Sequence, residues 1–199
     1  LMMCLFARLA QALDYHLQPL NIADGVWLLE GSTDNFAVEN GGNIVNIGFI
    51  ETADGVVVID TGPSRRFGEA LRQSIEKTTG KPVVRVLLTH HHPDHVLGNQ
   101  AFADAPIAAL PETSRLLAEQ GDAMAENMYR LVGDWMRGTE VVLPTEEVQE
   151  GVLAIGDRRL QLLALARDSG ELAEQDFDAA AQELKTQFLS QQKQAALSQ

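Results

Sequence analysis

Short apolar runs separated by glycine-containing turns follow one another in the first half of the chain and predict β-strands. We expect strands at Val26–Leu29, at 43–51 and at 56–60. The last two are joined by Ala53-Asp54-Gly55, a composition typical of a hairpin turn. Residues 83–88 are β-branched and aliphatic, which predicts a strand buried inside a sheet.

Helical spacing of apolar residues replaces the strand pattern at two places. Between Ser64, a suitable N-cap, and Gly80, a suitable stop, apolar side chains recur three or four residues apart. A second helix is predicted over 112–137, with most apolar residues on one side. These residues are Leu116, Leu117, Met124, Met128, Leu131, Val132 and Trp135.

Further strands are expected around the second helix. Residues 106–110 and 141–143 read as short strands, and 152–155 and 158–165 as a hairpin over Gly156-Asp157. The order strand, strand, helix, strand, with later hairpins, predicts a mixed α/β sheet with helices outside it.

The two ends of the chain differ from this pattern. Residues 1–12 carry an apolar run followed by Ala10-Gln11-Ala12, a small-x-small sequence typical of a signal-peptidase site. We interpret them as the remnant of an export signal, which predicts a periplasmic or secreted protein; the alternative is a frayed N-terminus of a cytoplasmic one. Residues 13–166 form the predicted domain, and 167–199, rich in Gln, Glu and Ala, a polar amphipathic helical tail.

Composition restricts the partners. The formal net charge is −13, which disfavours binding to nucleic acid or to an anionic membrane. No apolar run approaches the roughly 20 residues that a membrane-spanning helix needs. The single cysteine, Cys4, cannot form an internal disulfide. A small-molecule substrate is the partner expected.

Four of the five histidines lie within six residues and point to a metal site. His90, His91, His92 and His95 surround Asp94, and imidazole and carboxylate suit Zn²⁺, with Fe or Mn as alternatives. Alternate residues of an extended segment face the same side, so His90 and His92 can reach one metal together. A turn after Pro93 would direct Asp94 and His95 toward a second ion.

This histidine cluster resembles that of the metallo-β-lactamase superfamily. Residues 56–62, ending in Asp60-Thr61-Gly62, resemble the family's strand and turn beside the metals, and 43–50 its second strand. Within the superfamily, residues 41–43, 60–66 and 89–102 are most similar to exported zinc metallohydrolases associated with quinoprotein dehydrogenases.

The resemblance implies a role for each residue of the cluster. Residues matching His90 and His92 hold the first metal in the family, and those matching Asp94 and His95 hold the second. Asp94 is also our candidate catalytic residue, since its carboxylate could hydrogen-bond the attacking water instead of holding the second metal. The residue matching Asp60 orients the metal loop without binding metal. His91 is expected behind the ligands or facing solvent.

The resemblance also implies ligands that this sequence lacks. The family adds a histidine, a bridging aspartate and a last histidine from the second half of its fold, yet no histidine follows His95. Asp157 is interpreted as a turn former rather than the bridging residue. We therefore expect an αββα fold with its N-terminal half present and its C-terminal half truncated or replaced by the tail helix. Such a chain would expose a sheet face and favour self-association.

Three functions remain open at this point. The first is a metal-dependent hydrolase, with one or two zinc ions acting on an ester, thioester, lactone or amide-like bond, and weakened by the absent ligands. The second is a non-catalytic metal-binding or interaction module. The third is an iron-dependent enzyme similar to sulfur dioxygenases.

Overall fold

A computed structural model of the protein describes residues 13–163. The predicted signal remnant at 1–12 and the tail at 167–199 lie outside the described residues. The chain divides into two units between Leu162 and Leu163, and the architecture below is that of the first unit.

A mixed sheet of seven strands forms the centre of the described region, and its strands lie side by side in chain order. The first four strands are antiparallel, whereas the fourth to seventh run parallel to one another. The strands are β1 (Leu20–Ala23), β2 (Val26–Leu29), β3 (Ile47–Glu51), β4 (Val56–Ile59), β5 (Val83–Leu87), β6 (Ile107–Ala109) and β7 (Glu146–Glu147).

Helices cross between the parallel strands, as parallel pairing requires. They are α1 (Arg65–Thr79), α2 (Pro93–Val96) and α3 (Pro111–Val132), with 3₁₀ turns at Asn99–Phe102 and Gly133–Met136. The ends predicted for α1 are confirmed. The Ser64 hydroxyl accepts a hydrogen bond from the Phe67 amide, and Gly80 ends the helix in the left-handed conformation.

The two faces of the sheet have separate hydrophobic cores. On one face α1 and α3 bury residues such as Phe67, Leu71 and Met128 against Phe49. On the other face Val57, Leu87 and Ala108 pack against a hairpin of β8 (Gly151–Ile155) and β9 (Arg158–Leu162). This arrangement confirms the predicted mixed α/β class and the predicted hairpin over Gly156-Asp157.

Two predicted strands were placed incorrectly. The strand expected at 43–51 begins only at Ile47, since Gly41 and Gly42 have positive φ and the next residues form turns. No strand forms at 141–143, because the Val142 carbonyl accepts a hydrogen bond from the Asn99 side chain. Hydrogen bonds from Thr145 and Val148 pair the chain with β6 instead.

One strand and one helix end also differ from the prediction. Strand β1 was not predicted, although Asp24-Gly25 is a hairpin signal that connects it to β2. The second helix ends at Val132 rather than at 137, because Gly133 leaves the helical conformation at φ 61° and ψ −130°.

Among residues 13–163, no helix has the length and apolar composition to span a membrane.

Candidate metal centre

The histidine cluster lies at the carboxyl edge of the parallel strands. Strand β5 ends at Leu87, and after Leu88 the segment from Thr89 to His95 continues into α2. Strand β4 is the parallel neighbour of β5, so Asp60, the residue after β4, emerges at the same edge. In open α/β sheets this edge is where ligands bind. The sequence therefore brings Asp60 to the cluster through strand pairing.

Asp60 holds the loop through three hydrogen bonds. Its Oδ1 accepts from the Thr89 amide at 2.8 Å, and its Oδ2 accepts from the Thr89 hydroxyl at 2.7 Å. His95 Nδ1 lies 2.8 Å from the same Oδ2, and because a carboxylate only accepts, the imidazole donates. The residue is only 2% exposed. Its oxygens are thus engaged by the loop, the contacts expected of a group that orients it.

The rings of three histidines converge next to Asp60. The ring of His90 lies 4.5 Å from that of His92 and 4.1 Å from that of His95, between centroids. Burial, followed by the nearby His95 and His92, lowers the pKa of His90 to about 4. His90 is therefore neutral at pH 7, the form in which an imidazole coordinates a metal.

Asp94 lies in the first turn of α2 and is 7% exposed. Its Oδ2 is 3.9 Å from His95 Nε2, the ring nitrogen that does not contact Asp60. The predicted second pair of ligands therefore faces the same space. His91 is 8% exposed, and its ring centroid is 5.1 Å from that of His92. The alternative that His91 faces solvent is wrong.

The donors fit zinc by their chemistry, although they do not form a finished coordination site. Within residues 13–163, no group of three or more His, Cys, Asp or Glu side chains has the arrangement needed to hold a metal ion. Three imidazoles and one carboxylate are nevertheless gathered at one edge, which is a donor set typical of zinc. The assignment of His90, His92, Asp94 and His95 as ligands stays a prediction.

The turn after β4 anchors the far end of the loop. The Thr61 amide donates to the His95 carbonyl at 2.7 Å, and the Thr61 hydroxyl donates to Asn99 Oδ1 at 2.8 Å. The amide of Gly98 donates to the Gly62 carbonyl at 3.0 Å. Asp60-Thr61-Gly62 was singled out in the sequence, whereas Thr89 and Asn99 lay within the matching stretch 89–102 without a predicted role. Their partners are far away in sequence, and only the pairing of β4 with β5 reveals them.

Asp157 lies away from the cluster. It belongs to the β8–β9 turn and accepts a hydrogen bond from the Ala53 amide at 2.7 Å. Ala53 precedes β4, whereas Asp60 follows it, so Asp157 contacts the opposite edge of the sheet. Its interpretation as a turn residue is confirmed. His16 is exposed, with its Nδ1 3.5 Å from Asp14.

Known proteins share this fold and parts of this sequence. The sequence model of the metallo-beta-lactamase superfamily matches residues 40–165. A linear primary-alkylsulfatase of Pseudomonas sp. (strain ATCC 19151) is 36% identical over 53 residues, which are 27% of this chain and 10% of the alkylsulfatase.

Solved structures agree with the family match at the level of the fold. A metallo-beta-lactamase from Pontibacter korlensis superimposes with a TM-score of 0.53 and 22% identity, covering 73% of this chain and 59% of the lactamase. FIM-1 from Pseudomonas aeruginosa, in its mono-zinc form, superimposes with a TM-score of 0.52 and 19% identity. The match covers 71% of this chain and 54% of FIM-1. This chain thus spans between half and two thirds of these lactamases. The match to 40–165 covers more than half of the sequence, and the chain belongs to the metallo-beta-lactamase superfamily.

Proposed function

We propose that this protein is a zinc-dependent hydrolase whose metal centre is built from His90, His92, Asp94 and His95. The observation that carries the proposal is the convergence of these side chains at the carboxyl edge of β4 and β5. The ring of His90 lies 4.5 Å from that of His92 and 4.1 Å from that of His95, and Asp94 is 3.9 Å from His95 Nε2.

Each side chain has a distinct task in this proposal. His90 and His92 hold one zinc ion, and Asp94 and His95 hold a second when two are bound. Bound zinc lowers the pKa of a water molecule to around 7 and polarises the oxygen of the bond to be cleaved. When only one ion is bound, the Asp94 carboxylate instead accepts a hydrogen bond from the attacking water. Asp60 keeps the His95 ring in place by accepting a hydrogen bond from its Nδ1–H.

The substrates that fit this chemistry have an electrophilic centre open to attack by water, such as an ester, thioester, lactone or β-lactam. The partial match to an alkylsulfatase adds a sulfate ester to this set. We expect slow turnover, because one loop supplies all four proposed ligands. A missing ligand or supporting contact typically costs 10–100-fold in affinity or activity.

The test uses the full chain loaded with zinc, assayed on a thioester, a lactone, a β-lactam and an alkyl sulfate. We expect slow hydrolysis of at least one of them, lost on chelation and in Asp94→Ala. Asp122→Ala, an exposed aspartate on α3, is the matched control and should keep the activity. Hydrolysis that survives chelation, or that Asp94→Ala leaves unchanged, would contradict the proposal.

Two other outcomes would identify a different function. Stable zinc binding without turnover of any substrate would indicate a non-catalytic metal-binding module. Activity gained only with iron, with a persulfide and dioxygen as substrates, would indicate a sulfur dioxygenase-like enzyme. Parallel loading with zinc, iron and manganese separates these cases.

A further inference from the structure

Thr89 connects Asp60 to the His90 ring. It is the second residue after β5, following the buried Leu88, and its side chain makes two contacts. Its hydroxyl donates to Asp60 Oδ2 at 2.7 Å, and its oxygen lies 3.0 Å from His90 Nδ1. We propose that Thr89 is a positioning residue that holds His90 in the tautomer with its proton on Nδ1. The inference deepens the proposed function, since it concerns one of the proposed ligands.

The hydrogen-bond directions follow from counting protons. A threonine hydroxyl has one proton, and Asp60 takes it, because a carboxylate has none to give. The Thr89 oxygen can therefore only accept from His90. A neutral imidazole carries its proton on one nitrogen, so a proton on Nδ1 leaves the lone pair of His90 on Nε2.

This tautomer is not the one that His90 would adopt alone. In water, a neutral histidine side chain prefers the proton on Nε2, which would block that nitrogen as a metal donor. The contact with Thr89 reverses the preference before any metal arrives. A ligand that already has the correct tautomer loses less free energy on binding than one that must exchange its proton.

The Asp60 carboxylate also determines the tautomer of a second histidine, His95. Asp60 Oδ2 accepts directly from His95 Nδ1 at 2.8 Å, which leaves the Nε2 of His95 as its donor nitrogen. Asp60 thus fixes the tautomer of His95 through a direct hydrogen bond and the tautomer of His90 indirectly, through Thr89. Because Asp60 is buried and fixed by the Thr89 amide, both rings take their orientation from one group.

Thr89 is exposed, which makes this role separable from packing. Thr89→Val keeps the branched shape but removes the hydroxyl, whereas Thr89→Ser keeps the hydroxyl. Neither change opens a cavity in a core. The valine variant should remain folded, so its effect on His90 can be measured.

The experiment measures the ring ¹⁵N resonances of His90 by NMR in the metal-free full chain at neutral pH. His90→Asn identifies the His90 signals by their disappearance. We expect a protonated Nδ1 in the wild type and in Thr89→Ser, and a shift of the proton toward Nε2 in Thr89→Val. Zinc affinity, measured by competition with a chromogenic chelator, should fall about 10–100-fold in Thr89→Val and be restored in Thr89→Ser.

The two readouts separate this inference from the proposed function. If the wild type binds no zinc but its His90 tautomer depends on Thr89, the proposed function fails and the inference stands. If His90 carries its proton on Nε2 in the wild type, or if Thr89→Val keeps the wild-type tautomer, the inference is overturned whether or not zinc binds.

Discussion

Asp60 adopts a left-handed backbone conformation, with φ of 61°, immediately after β4. Residues other than glycine rarely do so, although Asp and Asn tolerate it better than most. This conformation turns the chain at the sheet edge while the carboxylate receives both the Thr89 amide and the His95 ring. The residue therefore combines a strained backbone with three hydrogen bonds to the loop, a combination often found at functional sites.

Replacing Asp60 with Asn tests the carboxylate apart from the backbone. Asparagine suits the left-handed conformation, but its side chain has an NH₂ group in place of one carboxylate oxygen. That NH₂ group would face an N–H or O–H donor of Thr89 or His95, so at least one hydrogen bond is lost. We expect zinc affinity to fall about 10–100-fold, with the protein still folded. Competition with a chromogenic chelator measures the affinity, and Asp122→Asn on the surface of α3 is the control. Equal affinities in the two variants would rule out the orienting role of Asp60.

Tyr15 is a second residue whose surroundings lead to a testable prediction, here the pH dependence of stability. Its hydroxyl donates to the Gly41 carbonyl at 2.7 Å and lies 3.0 Å from Ser64 Oγ. Its ring packs edge-on against Phe67, with centroids 5.0 Å apart. Burial raises the pKa of Tyr15 to about 12 from its ordinary value of 10.0. The folded protein thus retains the phenol proton at pH values where the unfolded chain loses it.

The stability that depends on this proton is complete below pH 10 and is lost as the pH rises toward 12. Tyr15→Phe should lower the free energy of unfolding by about 1–2 kcal/mol near pH 8, because it removes the hydrogen bonds. The difference in the free energy of unfolding between wild type and variant should then shrink by at most about 1.4 kcal/mol per pH unit above pH 10.

Urea unfolding of both proteins at several pH values measures this difference. Tyr129→Phe, at a half-exposed position on α3, is the matched control for removal of a tyrosine hydroxyl outside this buried site. A constant gap between wild type and Tyr15→Phe from pH 8 to 12 would contradict the assignment.

At the scale of elements, helix α1 supports the loop through a glycine. A β-carbon added to Gly68 would lie 2.5 Å from the Gly98 carbonyl oxygen and 2.9 Å from the Ala101 β-carbon. Gly98 and Ala101 follow α2, which carries Asp94 and His95. The close contact therefore sets the distance between α1 and the segment that follows the histidine cluster.

Gly68→Ala should lower the free energy of unfolding by about 1–3 kcal/mol, because backbone atoms must move to admit the methyl group. Gln73→Ala, at an exposed position of the same helix, should stay within about 0.5 kcal/mol of the wild type. Urea denaturation gives both values. If Gly68→Ala is as stable as Gln73→Ala, α1 does not contact the loop in the way described.

At the scale of the whole molecule, local signals in the sequence predicted local structure well. The N-cap Ser64, the stop at Gly80 and the turn before β4 each depend on neighbouring residues, and all three were predicted. The strand expected at 141–143 failed for a non-local reason. The side chain of Asn99, about forty residues away, takes the Val142 carbonyl that a strand would have used.

The candidate site likewise has features that depend on neighbouring residues and features that depend on residues far away in the sequence. The histidines could be identified because four of them lie within six residues of the chain. The link from Asp60 through Thr89 to His90 could not, since it depends on the parallel pairing of β4 with β5. The sequence thus predicts the candidate donors and, through the family resemblance, the orienting Asp60, and the structure adds the connection through Thr89.

The central claim, that this loop is a zinc site, is tested most directly by the metal content of the full chain. The protein is loaded with zinc, dialysed against metal-free buffer and analysed by mass spectrometry. We expect about one or two zinc ions per chain in the wild type and almost none in the double variant His90→Ala, His92→Ala. His16→Asn, an exposed histidine outside the cluster, should retain the wild-type content. Zinc content unchanged in a folded double variant would contradict the account.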